Sequence, residues 1–243
     1  MEDSIEHPGN FFCLVRNETQ ILGYVPSDFI WDEPGHKHDG PLGGLVGQHC
    51  IKISPDQIVA GELPLIDLLP LFTQHFFFFV LNSNDLSHTV SFIDLDVLPV
   101  KLCLFTLIIG LEAELLRILA RHPYRIESYL DLLPTERRTK AEGVAERKLR
   151  RVETGAYQVL IATTFIDKIT MLMRSPELAS QLPFPSTDKA EQYFNRLRDL
   201  RNQIAHSDSV LAILPTPEDF AAFLTQLRQV MSTVEALAAQ VDD

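Results

Sequence analysis

The stretch Asn195–Asp208 reads NRLRDLRNQIAHSD and has the composition of a helix. It is rich in arginine, and it ends in a single histidine followed by residues that often cap helices. Arg201, Asn202 and His206 are the side chains in it best suited to chemistry. We therefore expect the functional site of the chain at the end of this helix.

Apolar residues recur at helical spacing through the second half of the chain. They predict helices over 99–121, 124–133, 149–173, 188–206 and 218–241, with Asp188 as the cap of the fourth. Three prolines predict a loop over 175–187. The sequence therefore predicts an all-α helical bundle over residues 99–243.

The first half of the chain carries strand signals instead. Strands are predicted over 11–25 (two, joined by a tight turn), 76–81 and 89–93. A short helix or turn is predicted over 54–60, and an amphipathic helix over 64–74. These elements predict an α/β module over residues 1–98. The fold class expected for the whole chain is therefore α+β.

Charge is unevenly distributed along the chain. The net charge is -12, and residues 1–99 hold 14 acidic against 3 basic residues, whereas residues 100–210 hold 14 acidic against 17 basic. This balance argues against a general nucleic-acid-binding protein. It favours two units with different partners.

The expected compartment is the cytoplasm. The cysteines Cys13, Cys50 and Cys103 are widely spaced and form neither a disulfide framework nor a zinc pattern. The acidic N-terminus lacks the apolar segment of a signal peptide. The apolar run Val100–Leu111 is too short to cross a bilayer, so we expect a buried core helix and no membrane contact.

A glycine-rich loop is predicted over residues 34–47. Near it lie side chains that could ligate a metal: His36, His38, Asp39, His49 and Cys50. Their spacing matches no established finger, and a flexible solvated loop is the favoured interpretation of this segment. We predict no metal site and no cofactor.

The block Ser54–Asp96 resembles one repeat of the CBS module, a small helix–strand–strand–helix unit. The resemblance rests on the helix at 64–74, the strand and polar turn after it, and the ending His88-Thr-Val-Ser-Phe-Ile-Asp94. Ser91 and Asp94 match the family pattern, whereas His88 stands where glycine is usual. The resemblance implies that Ser91 and Asp94 bind an adenine nucleotide. Alternatively, Asp94 caps the following helix or the turn that precedes it.

The second half resembles the HEPN family of small helical bundles. Arg201-Asn202-Gln-Ile-Ala-His206 fits the family motif of an arginine, four to six residues and a histidine. The junction Asp94–Arg121 also looks like that of bacterial proteins which join a CBS-like unit to such a bundle. The resemblance implies a homodimer, and in many members a ribonuclease that needs no metal.

The motif residues suit RNA cleavage. A histidine can take the proton of the 2′-hydroxyl that attacks the phosphate, a guanidinium can stabilise charge on the phosphate oxygens, and Asn202 can orient either group. On an ideal helix Arg201 and His206 lie about 140° apart, since five residues separate them at about 100° each. One helix does not easily aim both at one phosphate, so we expect a symmetric dimer.

Other interpretations of the motif stay open. Arg201 could instead pair with a neighbouring acidic residue in a bundle-stabilising network, and the domain could be a non-catalytic regulatory protein that binds a nucleotide or a partner. Arg196 and Arg198 are the candidates for RNA phosphate contacts. Asp167 and Lys168 interrupt an apolar pattern, and a partner such as Arg201 is expected for a buried charge there.

Overall fold

The computed structural model describes residues 12–17, 21–26, 50–83, 85–149 and 155–239. They belong to two compact units, of which the first comprises residues 1–64 and 74–92 and the second comprises residues 65–73 and 93–243. Within the described residues, all strands lie in the first unit and all α-helices in the second. The predicted α+β class is therefore confirmed.

The described residues of the first unit form two small sheets. In its described residues the strands are β1 (Phe12–Arg16), β2 (Ile21–Pro26), β3 (Ile58–Ala60), β4 (Phe77–Asn82) and β5 (Asp85–Ser91). β1 and β2 pair antiparallel, as predicted for 11–25. β4 is the central strand of the other sheet, parallel to β3 and antiparallel to β5, which fits the buried strand predicted at 76–81.

The bounds of the strand predicted at 89–93 are wrong, because β5 begins and ends earlier and Phe92–Asp96 form a 3₁₀ helix. The short helix or turn predicted over 54–60 is a 3₁₀ turn at Pro55–Gln57, but it ends earlier than predicted because β3 follows it. A strand as short as β3 has too few residues for a periodicity to be recognised.

Aromatic side chains form the core of the first unit. Tyr24 on β2 meets Phe77 edge to face, with ring centroids 5.4 Å apart, and it meets Phe79 at 5.3 Å. Leu86 on β5 completes this cluster. Edge-to-face pairs add to the free energy gained from burial, so the phenylalanine run of β4 stabilises the packing of this unit.

The second unit is built from helices. In the described residues they are α1 (Leu65–Leu68), α2 (Leu98–Ala120), α3 (Ile126–Leu130), α4 (Thr135–Leu149), α5 (Ala156–Ala162), α6 (Phe165–Arg174), α7 (Pro176–Ala179), α8 (Thr187–Ala205) and α9 (Pro217–Ala239). α2 is the central helix, because α5, α6, α8 and α9 all pack against it. The long helices predicted at 99–121 and 218–241 are confirmed within these residues.

The single helix predicted over 149–173 is wrong. The chain forms α5 and α6 there, with a break at Thr163 and Thr164. The Thr164 hydroxyl accepts a hydrogen bond from the Asp167 backbone N–H, and the Asp167 carboxylate accepts one from the Thr164 N–H at 2.9 Å. This reciprocal cap starts a new helix. α7 likewise lies inside the loop predicted over 175–187.

Local chemistry also changes two other predicted helices. The segment 64–74 holds only α1 and a 3₁₀ helix over Leu69–Thr73, since Pro70 has no N–H for an α-helical hydrogen bond. The cap of α8 is Ser186 rather than Asp188. Its hydroxyl accepts a hydrogen bond from the backbone N–H three residues later.

One face of α2 is fully buried in the helical unit. Its buried residues are Val100, Leu104, Ile108, Leu111, Leu115, Ile118 and Leu119. These positions recur every three or four residues, which is the spacing of one helix face. α9 supplies a matching buried face that includes Leu227 and Val230.

Truncation in this core is expected to destabilise the chain strongly. Leu111 has no exposed surface, so Leu111→Ala should lower the free energy of unfolding by about 2–5 kcal/mol through lost burial and an unfilled cavity. Urea denaturation monitored by circular dichroism measures the change. Ile161→Ala on α5 is the control: that side chain is exposed, so a comparable loss there would contradict the assignment of the core.

A second face of α2 is apolar and largely exposed over residues 98–109. Leu98, Leu102, Phe105 and Ile109 follow one another at spacings of four, three and four residues, and we call them the α2 stripe. Leu98 is 65% exposed, Leu102 54% and Ile109 41%. The prediction that Val100–Leu111 is a buried core helix therefore holds for one face only. None of the helices in the described ranges combines the length and hydropathy needed to span a bilayer.

Candidate functional site

The end of α8 is fixed by backbone hydrogen bonds. The Ser207 N–H donates to the Ile204 carbonyl at 3.0 Å, and the Asp208 N–H donates to the Gln203 carbonyl at 2.8 Å. This pair of bonds is a Schellman motif, which ends a helix with one residue in the left-handed region. His206 is the C-cap residue, so the motif sets where its imidazole leaves the helix.

The left-handed residue of this motif is Ser207, with φ of 62°. A residue with a side chain has a higher free energy in that conformation, whereas glycine adopts it without this cost. We expect Ser207→Gly to raise the free energy of unfolding by about 0.5–1 kcal/mol, measured by thermal and urea denaturation. Ser209→Gly is the matched control, since its φ is -71°; an equal gain at both positions would contradict this account.

The motif residues lie on different sides of α8. Arg201 is partly buried and faces the bundle, beside the buried Leu197 and Leu200, whereas Asn202 and His206 are exposed. This arrangement follows the angular separation expected for five helical residues. A single copy of α8 thus presents Asn202 and His206 together, but it does not present Arg201 with them.

Arg201 is held loosely inside the helical unit. Its Nη2 lies 3.8 Å from Glu112 Oε2 on α2, which is an ion contact beyond hydrogen-bond distance. Its guanidinium carbon lies 5.8 Å from the centre of the Phe165 ring. Its Nε is buried and has no hydrogen-bond acceptor among the described residues. The guanidinium therefore keeps an N–H that no described residue accepts.

Glu112 contacts a second cation more closely. Lys168 Nζ on α6 donates to Glu112 Oε1 at 3.2 Å and to the Thr163 carbonyl at 2.7 Å. The Lys168 side chain is only 4% exposed. We call Glu112, Lys168 and Arg201 the Glu112 cluster: two cations share one carboxylate, which leaves a local excess of one positive charge.

Asp167 does not join this cluster. Its Oδ1 lies 2.8 Å from Arg137 Nε on α4, and its other oxygen accepts hydrogen bonds from Thr164. The expectation that Arg201 partners a buried charge on α6 is therefore wrong. Arg201 is instead linked to Lys168 through the carboxylate of Glu112.

The two arginines proposed to contact RNA make intrachain contacts. Arg196 donates to the Ile213 carbonyl and lies 3.1 Å from Asp219 Oδ1, which ties α8 to the start of α9. Arg198 donates to Asp199 on its own helix, and its side chain is 41% exposed. Arg198 is thus the more accessible of the two.

The residues predicted to bind a nucleotide fall in different units. Ser91 ends β5 in the first unit and is buried, whereas Asp94 is exposed and belongs to the second unit. Asp94 is not the cap of α2 either, since Val97 holds that position without a side-chain cap. Asp96 has a role that the sequence did not indicate: its Oδ1 accepts a hydrogen bond from the Val210 N–H at 2.8 Å.

The described residues hold no group of three or more metal-ligating side chains. The glycine-rich loop 34–47 and the neighbouring metal-ligand candidates lie outside them, apart from Cys50. Burial raises the pKa of the Cys50 and Cys103 thiols. Both thiols thus stay protonated near neutral pH, which makes them poor nucleophiles.

An apolar groove lies beside the end of α8. It has a volume of about 280 Å³ and is lined by Leu98, Lys101, Leu102, Phe105, Ile204, Ala205 and Ser207. Three of these residues belong to the α2 stripe, two end α8, and Ser207 follows the C-cap of that helix. The exposed apolar face and the motif helix thus form one continuous surface.

Comparisons with known protein families, with curated proteins and with solved structures found no match. The site is accordingly defined by its own geometry. It consists of a loosely held guanidinium, an exposed amide and imidazole at the end of α8, and an apolar face next to them.

Proposed function

We propose that this chain is a metal-independent endoribonuclease of the HEPN type that acts as a homodimer. The observation that carries the proposal is the state of Arg201. Its side chain is partly exposed, and its Nη2 lies 3.8 Å from Glu112 Oε2, which is beyond hydrogen-bond distance. Such a group is suited to bind a phosphate through two parallel hydrogen bonds.

The chemistry uses three groups of α8. The imidazole of His206 takes the proton of an RNA 2′-hydroxyl, and the 2′-oxygen attacks the adjacent phosphorus. A 2′,3′-cyclic phosphate forms, and the 5′-oxygen leaves and takes up a proton. Arg201 stabilises charge on the phosphate oxygens, and Asn202 orients the imidazole or the phosphate from the face it shares with His206.

A dimer can bring an arginine and a histidine to one phosphate, although Arg201 and His206 of a single α8 point in different directions. Arg201 of one chain and His206 of its partner can face one phosphate when two copies of the helix meet across a twofold axis. The exposed α2 stripe supports this arrangement, because an apolar helix face left in water is unfavourable. Its continuity with the end of α8 would bring the two motifs together.

The proposal gives the first unit a regulatory role. The support is the resemblance of Ser54–Asp96 to a CBS module. Of the two positions that match the family pattern, Ser91 belongs to the first unit and is the proposed contact of an adenine nucleotide there. Isothermal titration calorimetry with AMP, ADP and ATP tests this part. Absence of heat from all three nucleotides would remove the proposed ligand without affecting the proposed cleavage.

A second candidate function is favoured by the Glu112 cluster. The contact of Arg201 with Glu112 is the intrachain pairing expected of a bundle-stabilising network. In that case the chain would be a non-catalytic regulatory protein, with the dimer cleft or the first unit as its binding surface. Arg201→Ala would then lower the stability of the fold, and wild type would not cleave RNA.

Cleavage of single-stranded RNA in excess EDTA separates the two candidates. The first predicts fragments that end in a 2′,3′-cyclic phosphate, detected by mass spectrometry. The mass of the 3′ end identifies the attack of the 2′-oxygen. Intact RNA after prolonged incubation with the dimeric protein would reject the nuclease and leave the regulatory candidate.

A further inference from the structure

The Glu112 cluster places a carboxylate where a ligand phosphate would compete with it. Glu112 Oε1 is 3.2 Å from Lys168 Nζ, whereas Oε2 is 3.8 Å from Arg201 Nη2. Lys168 is also fixed by the Thr163 carbonyl at 2.7 Å. The carboxylate is therefore anchored on the lysine side and only loosely paired on the arginine side.

Charge and geometry both allow a phosphate to replace Glu112 as the partner of Arg201. Two cations share one carboxylate, so the cluster can accept a further negative charge. A phosphate can accept two hydrogen bonds from the guanidinium at about 2.7–2.9 Å, which is stronger than a single contact at 3.8 Å. The guanidinium carbon of Arg201 also lies 5.8 Å from the centre of the Phe165 ring, which is a second weak contact on the arginine side.

We infer that Glu112 is an internal competitor of the RNA phosphate for Arg201. In the unliganded chain Glu112 offsets part of the positive charge of Arg201, which lies beside Phe165. When a phosphate binds, Arg201 exchanges its contact with Glu112 for the ligand, and Glu112 stays paired with Lys168. Glu112 thus lowers the affinity for RNA phosphate and positions the arginine. This inference rests on the proposed function for the identity of the ligand.

Substitution of the carboxylate by its neutral amide tests the competition. Glu112→Gln keeps an acceptor for Lys168 but removes the negative charge opposite Arg201. We expect this variant to bind single-stranded RNA carrying 2′-O-methyl groups about tenfold more tightly than wild type. Fluorescence anisotropy measures the affinity. The 2′-O-methyl groups prevent cleavage, so binding is observed alone.

Two further variants show whether the gain acts through Arg201. Glu114→Gln removes a carboxylate two residues away that pairs with Arg117, and it should change affinity less than about twofold because it only alters overall charge. Glu112→Gln combined with Arg201→Ala should show no gain over Arg201→Ala alone.

Loss of the carboxylate could destabilise the fold, because Lys168 is buried. The Lys168→Met variant avoids this risk, because it has no buried ammonium that needs Glu112 as a partner. Adding Glu112→Gln to Lys168→Met should again make RNA binding tighter than that of Lys168→Met alone. Four results would each overturn the inference. Glu112→Gln could bind RNA no more tightly than wild type, or no variant could bind RNA at all. Glu114→Gln could gain as much affinity as Glu112→Gln, or Glu112→Gln could still gain affinity in the Arg201→Ala background. Bound but uncut unmodified RNA would instead reject the nuclease and leave the competition standing.

Discussion

Arg201→Ala and His206→Ala are each expected to reduce RNA cleavage by about 100-fold or more. Removal of the guanidinium takes away the group that stabilises charge on the phosphate oxygens. Removal of the imidazole takes away the general base, a role that contributes about 10²–10⁴-fold. The rate of fragment formation in EDTA measures both effects.

The controls for this prediction are an arginine and a helix residue outside the proposed site. Arg117→Ala removes an exposed guanidinium of α2, and Gln203→Ala changes the same helix between the motif residues. Both should retain cleavage within about twofold, as expected of surface positions. Equal rates for wild type, Arg201→Ala and His206→Ala would contradict the assignment.

The second large effect is expected at the α2 stripe. Leu102→Glu places a charge at the centre of the proposed contact between two copies, where burial of an unpaired carboxylate costs several kcal/mol. We expect the dimer to dissociate, with a rise of about 100-fold or more in its dissociation constant, and cleavage to fall with it. Sedimentation equilibrium measures the association.

Ile161→Glu is the matched control for that substitution. Ile161 on α5 is 47% exposed, close to the 54% of Leu102, and it does not line the apolar groove. This variant should remain dimeric and active. A wild-type chain that is monomeric at micromolar concentration, or a Leu102→Glu variant that still dimerises, would exclude the stripe as the interface.

The two longest helices are predictable from the spacing of apolar residues in the sequence. α2 and α9 have many periodic residues, so their existence and approximate bounds follow from spacing alone. The break between α5 and α6 did not follow, because apolar residues continue across it. The decisive feature is the reciprocal cap of Thr164 and Asp167, a local hydrogen-bond pattern that competes with helix continuation.

The sequence predicts the relative directions of the motif side chains, but not their partners on other helices. The angular separation of Arg201 and His206 follows from helix geometry, and the structure places them accordingly. The pairing of Arg201 with Glu112 did not follow, since the two residues lie on different helices far apart in sequence. A signal was present: Glu112 interrupts an apolar run on α2, and Lys168 interrupts another on α6. Opposite charges at such positions favour mutual pairing.

The most direct test of the composite dimer site is subunit complementation. Arg201→Ala and His206→Ala proteins, each inactive alone, are mixed in equal amounts, unfolded together and refolded. If each site takes its arginine and histidine from different chains, half of the dimers contain one complete site, and about a quarter of wild-type cleavage returns. Recovery near that value supports the account. No recovery, with mixed dimers confirmed by native mass spectrometry, would contradict it.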